Sequence, residues 1–401
     1  MARFTRQRFR DICKGERLGD FGILADVFTV LTPDVPAAWV AEGAPPVLAA
    51  QWPSLGTGIP QEVRRYFDFD DSRLLYEVHS GINSGSSRID FRGASFQDVA
   101  FLVSPPFDLE VVEEDEQDLV FVSTMGSREK VRKGSEWGLT LPVQRPVRDR
   151  TTWERFRERL DPRSPERYPA DWDAYAAEVN RLDCPVGMEV GGFFGYLNMW
   201  VGTQDLMLLF YDDPGLVDDM MEAVLQLEMQ MVERVTRDIR LDFVCYWEDM
   251  AYRSGPMISP AMVRRHMLPR YQRLNEVIRS RGCEVFFLDS DGDVDLLIPL
   301  WLEAGINLFW PLECAAGMDP WELRRRYGKN IILAGGLDKR IFAGDKTSLE
   351  REVMSKVPQL VGSGPYFPSP DHAVPSDTPF QNFCFYINLL RRIRGDEPID
   401  F

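Results

Sequence analysis

The sequence is poor in the residues that most often announce a site: 401 residues hold three histidines, His79, His266 and His372. Its six cysteines (Cys13, Cys184, Cys245, Cys283, Cys314 and Cys384) include no CxxC pair. That scatter fits neither a zinc ribbon nor a dense disulfide framework, so a reducing compartment is expected. No apolar run approaches the roughly 18 to 20 residues that cross a bilayer, and the opening MARFTRQRFRDICKGERLGD is too charged for a signal-peptide core; the expected location is the cytoplasm. Basic residues are also scarce, 46 against 63 acidic, for a formal charge of -17. No basic tract forms a nucleic-acid footprint, so neither nucleic acid nor membrane is an expected partner. The charge also disfavours a strongly anionic substrate unless a local basic pocket overrides it. Finally, the glycine pairs Gly191-Gly192 and Gly335-Gly336 lack the GxGxxG spacing that a dinucleotide-binding turn requires.

With 44% hydrophobic residues the chain can bury a large core, although length alone permits one large barrel or several smaller domains. Residues 4–17 read as a short basic amphipathic helix, followed to about residue 100 by mixed, Pro- and Gly-rich sequence with few periodic signals. From Phe101 to Pro146 the alternation predicts antiparallel strands covering one side of the fold. After about residue 180 short apolar runs (CPVGMEV, DFVCYW, EVFFLD, INLFWP, NIILAGG) alternate with amphipathic helices, the pattern of βα units and a parallel sheet. Asp213-Pro214, Ser259-Pro260 and Asp319-Pro320 each pair a favoured N-cap with proline in the first turn. Leu216, Met220, Val224, Leu227 and Met231 recur at helical spacing and are core positions. The expected architecture is a single α/β domain over 1–401, a (β/α)8 TIM-type barrel. Residues 1–180 form an N-terminal elaboration over its mouth, and 181–401 supply the regular repeats that carry the site.

In a barrel the active groups collect where strands end. Those ends read Glu248 and Asp249, Asp289 and Asp291, Glu313, then Asp338 and Lys339. Clustered carboxylates repel one another and lose hydration unless a cation or proton neutralises them, which makes such a rim costly to keep for packing alone. The plainer alternative is that these acids cap helices and pair with arginines such as Arg253 and Arg340. His266 lies within a predicted helix and His79 in an irregular segment where nothing converges. His372 instead occupies the proline-rich loop PYFPSPDHAVPSDTP before the last helix, where stiff backbone presents side chains; the alternative is a bond to its neighbour Asp371. In GGFFGYLNMW, Phe194 and Tyr196 follow a strand and a glycine pair, so they line either a planar-ligand wall or the core. Trp247 and Glu313 complete the expected substrate-binding set.

The segments from DFVCYWEDMAYRSG through FFLDSDGDVDLL, INLFWPLECAAGMDP and IILAGGLDKR to PSPDHAVPSDTPFQNF resemble the uroporphyrinogen decarboxylase superfamily, densely from about Pro185 to Arg392. The resemblance implies a single (β/α)8 barrel and one of two activities. One is cofactor-free decarboxylation of uroporphyrinogen; the other is zinc-dependent methyl transfer among methylated donors, corrinoid proteins and thiols. The decarboxylases carry an arginine-rich RQAGR-type segment, where this chain has DFGILADVFTVLTPDVPAAW without an arginine; TRQRFR falls within the first helix and does not take that role. The methyltransferases place a His-x-Cys-Gly zinc motif where this chain has Asp289-Ser290-Asp291-Gly292, and a third ligand cysteine where it has His372. The thiolate donors are gone, but Asp289, Asp291 and His372, completed by Glu248, form an oxygen-rich set suited to a divalent metal, zinc being one choice.

The expectation is therefore a methyltransferase of the demethylase type. It would move a methyl group from a methoxylated or N-methylated small molecule to a corrinoid on a partner protein, with Asp291, His372 and Glu248 catalytic. A homodimer is allowed. The alternative is a carboxy-lyase acting on a tetrapyrrole or smaller carboxylate without cofactor; a non-catalytic binding protein on the same scaffold is the third possibility.

Overall fold

The computed structural model describes residues 4–25, 27–49, 59–75, 78, 87–134 and 140–401; His79 lies outside them. Seven parallel strands form the central sheet: β1 (Arg73–Leu74), β2 (Val186–Glu189), β3 (Phe243–Trp247), β4 (Val285–Asp289), β5 (Leu308–Trp310), β6 (Ile332–Ala334) and β7 (Tyr366–Phe367). They pair in that order, and an isolated parallel bridge joins Leu24 to Asp70, just before β1. The five predicted apolar runs are β2 to β6. The two outermost strands went unread because each is two residues long, too short for any periodicity.

Period-two alternation sorts each strand's side chains onto two faces. Phe243, Cys245, Val285, Phe287, Leu308, Trp310, Ile332, Ala334 and Phe367 meet in one interior cluster with Leu24. Val244, Tyr246, Phe286, Leu288, Phe309, Leu333 and Tyr366 face the helix layer. The sheet is strongly curled, because single rings touch distant strands: Phe9 lies 5.7 Å from Phe243 of β3 and 5.6 Å from Phe367 of β7. The result is an α/β fold with a parallel half-barrel; among the described residues no ladder joins β7 back to the segment at Leu24.

Helices follow the strands where their caps predict. Asp213 accepts the amide of Leu216 at 2.9 Å, Ser259 that of Met262 at 3.2 Å and Asp319 that of Trp321 at 2.8 Å. The Leu216-to-Met231 stripe on the helix Pro214–Asp238 is fully buried. Near the N terminus the helix Arg6–Cys13 inserts Phe9 and Ile12 into the interior cluster, under the strand starts. The strands Glu110–Glu114, Asp118–Val122, Arg128–Arg132 and Leu141–Gln144 form a four-stranded antiparallel sheet as predicted, beside a hairpin of Ser87–Phe91 with Ala94–Asp98. The link that follows the hairpin brings Phe101 face to face with Trp247, centroids 5.5 Å apart, so this region contributes to the mouth.

Candidate active site

Because strands β3, β4 and β5 are in register, Trp247, Asp289 and Trp310 end at one level. The same alternation carries the next inward positions to Asp249 and Asp291. Carboxylate oxygens of Asp249, Asp289 and Asp291 lie within 4.8 Å of one another. Asp249 holds a left-handed backbone (φ 40°), and its Oδ1 accepts the amide of Asp291 at 3.3 Å. Gly292, at φ 85°, lets the chain pass so close to Ala251 that a Cβ would stand 2.4 Å from that residue's carbonyl oxygen. The turn therefore requires glycine and leaves Asp291 facing the cleft.

Crowding and burial shift these acids together. Burial, reinforced by the Asp291 charge, pushes Asp249 up to about 7. Asp289 is held well above the usual carboxylate range by burial and then by Asp249 and Asp291. Burial also raises Asp291, opposed by His372 and Lys339. One of its oxygens, Oδ1, is buried without a hydrogen-bond partner among the described residues. The other stands 3.5 Å from Nε2 of His372, whose ring lies against Trp310. Asp371 does not bond to His372: its two oxygens take the backbone amides of Cys314 at 2.7 Å and Lys339 at 2.8 Å, fastening the loops after β5 and β6 to the one carrying His372.

Glu313 accepts the amide of Gly292 at 3.0 Å and faces Lys339 Nζ at 3.4 Å, bracing the Asp291 turn. Trp247 and Phe101 form an aromatic wall, with Tyr196 beside them. The Tyr196 hydroxyl donates to Glu189, a further inward acid at the end of β2, at 2.7 Å.

Two expected site residues are placed elsewhere. Glu248 points into the helix layer, where its carboxylate accepts the amides of Phe193, Phe194 and Gly195 at 2.9, 2.7 and 3.1 Å and the hydroxyl of Tyr271. Burial raises it to about 7 against those bonds. It secures the Gly192–Gly195 turn and has no oxygen left for the cleft; Asp249 takes the place expected of it. Phe194 is fully buried against Phe210 and is a core residue. Asp338, as the plainer alternative held, caps a turn and pairs with Arg340 at 2.6 Å. His266 is buried in a helix and bonded to Asp218 at 2.9 Å.

The Asp249 position was available from the sequence. In DFVCYWED, Phe243, Cys245 and Trp247 share the inward parity of Asp249, whereas Glu248 shares that of Val244 and Tyr246. The same rule places Glu189 of CPVGMEV inward with Gly187.

The family model for uroporphyrinogen decarboxylase (URO-D) matches residues 125–393. The chain belongs to the uroporphyrinogen decarboxylase family. No curated protein sequence matches it. In structure it is similar to a methyltransferase from Methanosarcina mazei, at 12% identity over 98% of both chains with a TM-score of 0.57, a likeness of fold alone. A B12-independent methionine synthase from Shewanella sp. W3-18-1 aligns at 10% identity over 55% of this chain and 65% of its own, with a TM-score of 0.37, and bears no further on the fold. Membership makes the chain one of an enzyme family whose cleft lies at the C-terminal ends of its strands. No helix among the described residues is long and apolar enough to cross a membrane.

Proposed function

We propose that this family member is a methyltransferase of the demethylase type. It would accept a small molecule methylated on oxygen or nitrogen and pass the methyl group to a corrinoid carried by a partner protein, working in the cytoplasm. The observation that carries the reading is the convergence of Asp249, Asp289 and Asp291 beside an aromatic wall, in acids that burial and mutual repulsion hold above the ordinary carboxylate range. When the methyl group leaves as a formal cation, the electron pair of the broken bond stays on the oxygen or nitrogen, which needs a proton or an electrophile in compensation. Asp291, with His372 at 3.5 Å to exchange the proton, stands where it can supply one. Trp247 and Phe101 would flank the substrate, with the buried Tyr196 backing them, and Glu313 would hold the Asp291 turn in place. The same reading treats the curled sheet and the Leu24 segment as a complete (β/α)8 barrel.

The donor set also fits a hard divalent cation: three carboxylates within reach of one ion, one with an unpartnered oxygen, and no thiol among them. Asp249, Asp289 and Asp291 would hold it, with His372 beside the group. Such an ion would supply Lewis-acid polarisation of the leaving atom.

Of the groups that offset the Asp291 charge, Lys339 already faces Glu313, and His372 is positive only when protonated. Among the described residues, a cleft so furnished lacks the positive clamp that a polycarboxylate substrate needs, whereas it suits a neutral or cationic one. The Methanosarcina mazei neighbour is a methyltransferase, in agreement with this reading. The test is anoxic incubation with cob(I)alamin and a panel of methoxylated aromatics and methylated amines, with uroporphyrinogen in parallel. Methylcobalamin formation supports the proposal. Carbon dioxide release from uroporphyrinogen without methyl transfer would establish the carboxy-lyase alternative.

A further inference from the structure

The arginines of TRQRFR, which the cleft does not use, converge at the opposite end of the sheet. Arg6 and Arg10 of the first helix, with Arg181 and Arg240, line a pocket of about 430 Å3 together with Asn180 and Asp183. Asp183 lies just before β2 and Arg240 just before β3, so this pocket opens at the N-terminal strand ends, away from the acids. It is prebuilt. Asp242 takes Arg6 Nε at 2.8 Å and Arg10 Nη1 at 2.7 Å, fixing two guanidiniums that are largely sheltered from solvent. The same Asp242 accepts the amide of Val186 at 2.9 Å, which ties the pair to the start of β2. The helix itself is anchored by the Arg6 amide on the carbonyl of Asp183, at 2.7 Å. Arg181 and Arg240 are exposed at the pocket's edge.

Four guanidiniums thus face two carboxylates, Asp183 on the wall and Asp242 engaged beneath it, leaving two positive charges in excess. On a chain of net charge -17 a local surplus of this size is a feature that the overall field works against. Guanidinium forks match the tetrahedral oxygens of phosphate in geometry as well as charge. The geometry points to a binding site for a small phosphate-type dianion, a pyrophosphate or phosphate monoester, at the N-terminal face of the sheet. A pocket of this volume lies within the range that holds small ligands. Arg6 and Arg10, whose Nη2 groups donate to the Arg240 carbonyl and to Gln7 Oε1, form its fixed, positively charged floor, and the exposed forks of Arg181 and Arg240 take the anion. The site is separate from the cleft, and its existence does not depend on the proposed methyl transfer.

Equilibrium dialysis of the full chain against labelled inorganic pyrophosphate, in about 0.15 M salt to screen diffuse attraction, tests this. Saturable binding near one equivalent is expected, weakened at least about tenfold in the double variant Arg181→Ala/Arg240→Ala. Both side chains are exposed, so the fold is expected to survive, and a melting curve checks it. The variant Arg181→Lys/Arg240→Lys, which keeps charge and loses the fork, should bind with intermediate affinity. Vesicles of phosphatidylcholine doped with phosphatidylserine form the second arm. No saturable pyrophosphate binding, equal binding by the alanine variant, or retention on vesicles alone would each overturn the proposal.

Discussion

His372 and Asp291 come from loops about eighty residues apart, yet the imidazole Nε2 stands 3.5 Å from the carboxylate Oδ2, with the ring backed by Trp310. Asp371 makes this possible by clipping the histidine's loop to the amides of Cys314 and Lys339. The pair can pass a proton between a partly exposed imidazole and an acid held above its ordinary range.

His372→Gln keeps a polar side chain and removes the titrating one. It is expected to lower kcat/KM by about 100-fold, the lower end of what a positioned acid or base contributes, while melting close to the parent because the side chain is partly exposed. Steady-state kinetics and a melting curve check both halves; undiminished turnover would remove His372 from the mechanism.

Glu248 and Asp249 should respond in opposite ways. Glu248→Ala strips the acceptor from three buried amides and the Tyr271 hydroxyl, and a loss of about 2 to 4 kcal/mol is expected from the unsatisfied donors. Asp249→Asn should leave stability equal or higher and abolish turnover. Chemical denaturation of the two variants alongside activity decides this; a stable Glu248→Ala protein would contradict the anchoring role.

The acid group also predicts a pH dependence. Asp249 has a folded value near 7, above its ordinary one, so the native state holds the proton more tightly than the unfolded chain does. Its stabilising contribution is complete below about pH 4, declines as pH rises and is lost above about 7. In chelator-treated protein, Asp249→Asn should therefore gain stability relative to the parent between about pH 5 and 8, on the order of 1 to 3 kcal/mol. A bound divalent cation would restore the parent at the upper end. Denaturation curves across that range in which the difference stays flat would contradict the shift.

The N-terminal 180 residues are expected to share one folding unit with the repeats. Trp39 packs at a tilt and Phe67 edge-on against Phe383 of the last helix, with centroids 5.0 Å apart in each pair, within one apolar cluster. Limited proteolysis should not release a stable fragment beginning near residue 180.

The sequence showed the repeating half of the fold well, because five strands of three to five residues with capped helices between them carry both periodicities. It was less informative at Arg73–Leu74 and Tyr366–Phe367, where pairing to neighbours creates strands too short to have a pattern of their own. In the site, DSDGD and His372 could be picked out because a glycine turn and a proline-rich loop are local signals. The choice between Glu248 and Asp249 was a matter of strand parity. Phe194 was misplaced for another reason: GGFFGYLNMW is almost wholly apolar, and only the three-dimensional packing against Phe210 shows which rings face the core.

The most direct test of the account compares wild type with Asp291→Asn in methyl transfer to cob(I)alamin from an accepted methylated donor. Asp291 is the acid that joins the trio to His372, and because its Oδ1 accepts no hydrogen bond among the described residues the fold is expected to survive its replacement. The account predicts methylcobalamin from the wild type and a fall of at least about 100-fold in the variant with an unchanged melting profile. A well-folded Asp291→Asn protein that transfers methyl groups at the wild-type rate would contradict it.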